Sequence, residues 1–79
     1  MRVRIDVFLK PGVLDVQGKA IEGALAGLGF AGVSDVRVGR TVTLELAGDD
    51  LDAAEAQARG MCDRLLANAV IESYRVAVG

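Results

Sequence analysis

The chain has 79 residues, a net charge of −2, one cysteine and no histidine. That length suits a single domain, residues 1–79, whose own core is marginal, and small domains compensate with disulfides, metals or oligomerisation. One cysteine excludes an internal disulfide, the missing histidine removes the usual zinc ligand set, and an acidic balance disfavours nucleic acid, so burial against a partner is the expected route to stability.

No apolar run approaches the roughly 20 residues of a membrane span. The start, Met-Arg-Val-Arg-Ile-Asp, lacks a signal-peptide core, so cytoplasmic residence is the default expectation.

Residues 2–10 alternate, with Val3, Ile5, Val7 and Leu9 on one face. A period of two predicts a half-buried strand, which Pro11-Gly12 breaks. Asp15 is a plausible N-cap. Ala20, Ile21, Ala24, Leu25 and Leu28 then form a helical stripe, and Gly29 suits the left-handed residue that ends a helix. Val36 and Val38 share one face of a predicted second strand. Gly39-Arg40 is read as a tight hairpin turn. Val42, Leu44 and Leu46 share a face in the third strand, opposite Thr41, Thr43 and Glu45.

Gly48-Asp49-Asp50 ends that hairpin and caps a second helix. Its expected buried stripe is Leu51, Ala54, Ala58, Met61, Cys62 and Leu65. Asn68 breaks it, and a last strand begins near Val70, with Tyr74, Val76 and Val78 on one face. The order β-α-β-β-α-β predicts an α+β, ferredoxin-like sandwich, with a four-stranded antiparallel sheet and both helices on one face. Arg2, Arg4, Asp6, Arg37, Thr43, Glu45 and Phe8 are expected on the open face, either solvated or as an interface anchored by Phe8.

Catalytic chemistry is sparse. Without histidine, neutral-pH acid–base work would need a perturbed carboxylate, and the acids mostly fall at caps and exposed faces. Asp49, Asp50 and Asp52 cluster at a helix start, where acids are expected. Cys62, on an apolar stripe, reads as a structural thiol with no base or cationic setting to activate it. Lys10-Pro11-Gly12 lacks phosphate-loop spacing, and Gly27-x-Gly29 is too sparse for a dinucleotide fingerprint. Three aromatics without a matching motif argue against an RNA-binding sheet. No catalytic, cofactor or metal residue is assigned. An acyl-phosphate hydrolase of this topology would need an arginine after the first strand, which Lys10-Pro11-Gly12-Val13 does not supply.

Three blocks carry a family likeness: Leu9-Lys10-x-x-Val13-Leu14-Asp15-x-Gln17-Gly18, then Val33-x-Asp35-Val36-Arg37-Val38-Gly39-Arg40, then Cys62-Asp63-x-Leu65-Leu66-Ala67-Asn68-x-Val70-Ile71-Glu72-x-Tyr74. Their order and spacing resemble the PurS family, the small subunit of phosphoribosylformylglycinamidine synthase. The chain departs from that pattern at Val16 and Ala69, where the family commonly has proline, and at Arg40, usually lysine.

The resemblance implies a non-catalytic accessory subunit that binds no cofactor itself. It would form a homodimer or homotetramer and bridge the large synthetase and glutaminase subunits. The complex, using ATP and magnesium, converts formylglycinamide ribonucleotide and glutamine to the amidine in purine biosynthesis, and the small subunit is thought to help shape ammonia transfer. Candidate interface residues are Phe8, Asp15, Gln17, Gly18, Asp35, Arg37, Arg40, Asn68, Glu72 and Tyr74, each with a local structural role as its other reading. The second functional reading is a regulatory module of the same fold that binds a small metabolite between subunits.

Overall fold

The computed structural model describes residues 1–79. Strand β1 (Arg2–Leu9) is followed by helix α1 (Val16–Gly27), strand β2 (Gly39–Glu45), helix α2 (Leu51–Met61) and strand β3 (Glu72–Val78). The α+β ferredoxin-like class holds, but the sheet has three antiparallel strands in the order β2-β1-β3, not four. Gly39 and Arg40 are not a hairpin turn; they are the first residues of β2, opposite Phe8 and Val7.

The strand expected at Val36 and Val38 does not form, because side chains take over its backbone partners. The Asp15 carboxylate accepts from the Val38 amide at 2.6 Å. Arg37 donates to the carbonyls of Val13 and Lys10 at 2.9 and 3.2 Å. Asp35, at φ 54°, bends the segment just before this point. Extended backbone held this way has the same alternating sequence as a strand without joining the ladder.

β1 is central and buries Val3, Ile5 and Val7 completely or nearly so. Against them lie Ala54, Ala58 and Cys62 of the second helical segment, at 3%, 0% and 0% exposure. Small residues on α2 let helix and sheet approach closely. The Asp50 carboxylate caps α2 through the amides of Asp52 and Ala53. The helix continues into a π-helical turn, Cys62–Leu66, which fits the weak spot that Gly60 introduces. The expected stripe was too wide: Leu51 is 57% exposed and Leu65 is 83% exposed.

The largest departure concerns α1. Asp15 caps it as expected, and Gly29 (φ 93°) ends it, with the amides of Phe30 and Gly29 bonded back to the carbonyls of Leu25 and Ala26. Yet α1 hardly touches the sheet or α2. Gly18 is its one buried residue, and Leu28 is 74% exposed. The chain is accordingly 49 Å long, with a radius of gyration of 15.9 Å, against about 11.6 Å for a compact domain of this length. The sheet and α2 form a body, and α1 is an arm.

Candidate functional site

The end of the sheet where β1 stops and β2 and β3 begin gathers six of the ten candidate residues into two hydrogen-bonded nodes. In the first node, Asp15 is buried. One carboxylate oxygen accepts from the Gly18 amide at 2.7 Å and the other from Val38. These two bonds, helped by the nearby Arg37 charge, hold the Asp15 carboxyl below the usual carboxylate range. Gly18 is required here, since a Cβ would lie 2.2 Å from the Val36 carbonyl oxygen. Arg37 ties the same segment to the 10–13 turn. Contrary to expectation, Arg37 does not stand on the open sheet face; it belongs to this node.

The second node centres on Glu72. Arg40 makes a bidentate pair with it at 2.6 and 3.1 Å and also donates to the Leu66 carbonyl at 2.5 Å. The Asn68 amide donates to Glu72 at 2.7 Å. Arg40, then the Asn68 amide, pull the Glu72 carboxyl down, and Glu72 raises Arg40 in return. Asn68 itself organises the following turn, its side-chain oxygen accepting from Val70. Lys10 joins the nodes, its amide bonded to the Ile71 carbonyl and its ammonium to that of Ala69. Lys10 was absent from the candidates, although it lies inside the first motif block.

The other candidates sit apart. Gln17 is exposed on the first turn of α1, beside a recess of about 260 Å³ that Asp15, Arg40 and Glu72 also line. Asp35 is exposed and borders a neighbouring recess of about 400 Å³ with Phe8, Pro11 and Gly12. Tyr74 donates to Asp63 at 3.0 Å, a bond that raises the tyrosine pKa, as burial does. Phe8 lies on the open face, with the Arg75 guanidinium 5.1 Å from its ring centre. Around it the charges pair among themselves. Asp6 accepts from Thr41 and Arg4, which lower its pKa in that order, and Arg2 meets Glu45.

The nodes have no spare reactive group: their donors and acceptors satisfy one another. No cluster of three or more His, Cys, Asp or Glu could hold a metal ion. Cys62 is buried, and burial pushes its thiol up, away from the nucleophilic thiolate. No helix is long and apolar enough to cross a membrane. What the nodes do is fix the two turns, 10–15 and 66–71, whose tips carry Leu14 and Val70 at 69% and 82% exposure.

Comparison with known proteins shows the family. The family model described as PurS, phosphoribosylformylglycinamidine (FGAM) synthase, matches residues 2–79. The chain belongs to the PurS family. It is 49% identical over 71 residues to the PurS subunit of Synechocystis, covering 90% of this chain and 71% of that one. The crystal structure of Bacillus subtilis PurS superposes with a TM-score of 0.87 at 41% identity, covering 99% of this chain and 96% of that one. A chain of the Thermotoga maritima PurLQS structure gives a TM-score of 0.87 at 30% identity, covering 96% and 93%. The three PurS-like blocks of the sequence, far apart along the chain, meet at this end of the sheet.

Proposed function

We propose that this chain is the non-catalytic accessory subunit that joins the synthetase and glutaminase subunits of phosphoribosylformylglycinamidine synthase. The observation that carries this reading is the family match over residues 2–79, together with the likeness to a chain of a PurLQS structure. The site chemistry fits the role, since the polar groups at the sheet end are spent on one another and the turns they fix hold apolar tips outward. Rigid, preformed turns lower the ordering cost of docking. Leu14, Val70 and the exposed Asp35 and Gln17 are the groups this end offers to the larger subunits.

Cytoplasmic residence, self-association into a homodimer or homotetramer, and help in shaping ammonia transfer belong to the same proposal. ATP and magnesium then act on the synthetase subunit, not here. The test is glutamine-dependent amidine synthesis by the two large subunits, with and without this chain. Activity and co-elution should both require it, and Val70→Asp should weaken both. Unchanged synthesis and elution in its absence would overturn the assembly role.

A further inference from the structure

Lys10 spends every polar group it has on segments that are far apart along the chain. Its amide donates to the Ile71 carbonyl at 2.9 Å and its ammonium to the Ala69 carbonyl at 2.7 Å. Its own carbonyl accepts from the Val13 amide at 3.1 Å and from the Arg37 guanidinium at 3.2 Å. The donors hold the 66–71 turn, and the acceptor holds the base of α1. No carboxylate pairs with this ammonium, whereas Lys19, the chain's other lysine, pairs with Glu22.

These bonds lie just past the end of the sheet. The last rung between β1 and β3 pairs Leu9 with Glu72. Lys10 carries the pairing on to Ile71 and, through its side chain, to Ala69. The two nodes do not bond to each other directly, since the recess of about 260 Å³ that Asp15, Arg40 and Glu72 line lies between them. Lys10 is one link across that gap. Residues 37–40 are the other, because Arg37 and Val38 serve the first node and Arg40 the second. The result is a closed circuit. It runs from Lys10 to Ile71, along the chain to Glu72, across to Arg40, back along the chain to Arg37, and across to Lys10.

In such a circuit a shift of one member disturbs the bonds on both sides of it. Lys10 is the member with the least support from neighbours. Glu72 is held by both Arg40 and the Asn68 amide, and Asp15 by two amides. Between segments 10–15 and 66–71, the only hydrogen bonds are the two that Lys10 donates. Its backbone bond survives most substitutions, so the ammonium is the part of the link that residue identity controls. A side chain without a donor would leave the Ala69 carbonyl to water and tie the turn to the first segment at one point, and segments held so lightly open locally.

We propose that Lys10 is a positioning residue that couples the base of α1 to the 66–71 turn, so that Leu14 and Val70 meet a larger subunit as one preformed surface. Tips held at a fixed spacing dock without the cost of ordering each turn separately. The inference rests on the assembly role proposed above and names the residue that sets the spacing of its contacts. The coupling itself belongs to the chain alone and is read there.

The test uses the full chain. Lys10→Met keeps the stem and removes the donor, and Lys10→Arg keeps a charged donor. In Lys10→Met, amide hydrogen exchange should quicken by about 3- to 10-fold at Ile71 and Glu72. It should quicken also at Gly18 and Val38, whose amides bond to Asp15 and not to Lys10. Ile5 and Val7 in the core should exchange as in the wild type. In glutamine-dependent synthesis with the two larger subunits, the amount of Lys10→Met chain that gives half the maximal rate should rise several-fold, with the maximal rate unchanged. Lys10→Arg should restore both readings. A response confined to the 66–72 segment, loosening of Ile5 and Val7 as well, an unchanged half-saturating amount, or a Lys10→Arg that behaves like Lys10→Met would each overturn the proposal. Synthesis that needs no chain at all would overturn the assembly role instead, and the exchange result would still stand.

Discussion

The body and the arm carry the same kind of apolar pattern and use it in opposite ways. Val3, Ile5 and Val7 face Ala54, Ala58 and Cys62 within one chain, and water is excluded. Val16, Ala24 and Leu28 make an equally regular stripe on α1 and face solvent. An amphipathic pattern thus marks an apolar face, but not whether the chain's own body covers it. The junction between the two regions is polar and closely packed around Gly18, so the arm's direction is set by Asp15 and Arg37, not by its hydrophobic face.

The comparison breaks first in the body. Ile5→Ala should cost about 2–5 kcal/mol, enough in so small a core to unfold most of the chain, as a thermal melt by circular dichroism would read. A loss under 1 kcal/mol would mean that the body is not the stability centre. At the junction, Gly18→Ala drives a Cβ into the Val36 carbonyl and should cost on the order of 3 kcal/mol, with the arm released from its direction. A neutral result would show that the junction can open freely.

The nodes give a pH signature. Asp15 and Glu72 have folded-state pKa values below their ordinary 3.8 and 4.5. Their stabilisation is therefore complete above those values and is lost as pH falls through the lower folded ones. The melting temperature should drop on acidification below about pH 4.5, and Glu72→Gln should flatten that drop while lowering the neutral-pH melt by several degrees. An unchanged acid limb would remove Glu72 from the account.

The arm should respond differently. Leu28→Ser should change the melt by no more than about 0.5 kcal/mol, because Leu28 is 74% exposed; a larger loss would place Leu28 against the body. The smallest effect is expected on the open face. Phe8→Asp removes the ring beneath Arg75 and should leave the mass by light scattering unchanged when the open face is solvated. Loss of association would move the interface there.

Several local features were legible because their physics is local. Asp15 and Asp50 cap helices, Gly29 ends one, and alternation through Val3, Ile5 and Val7 marks the central strand. Val36 and Val38 misled because period two registers extended backbone, whether a neighbouring strand or the Asp15 carboxylate takes its amides. Beyond the Asp15–Gly18 cap, the first node closes through contacts 23 to 27 positions apart, as Arg40 and Glu72 meet across 32, and no spacing rule anticipates those contacts. Lys10 was missed because its two partners are backbone carbonyls, which leave no mark in a sequence.

The sequence by itself determined the α+β class, the caps, the buried cysteine and the PurS-like blocks, all set by residue type and near-neighbour spacing. Only the tertiary structure decided that the sheet has three strands, that the blocks converge on one end, and that α1 leaves the body. Those outcomes turn on competition for the same backbone groups and on steric room at Gly18, both of which exist only once distant segments are brought together.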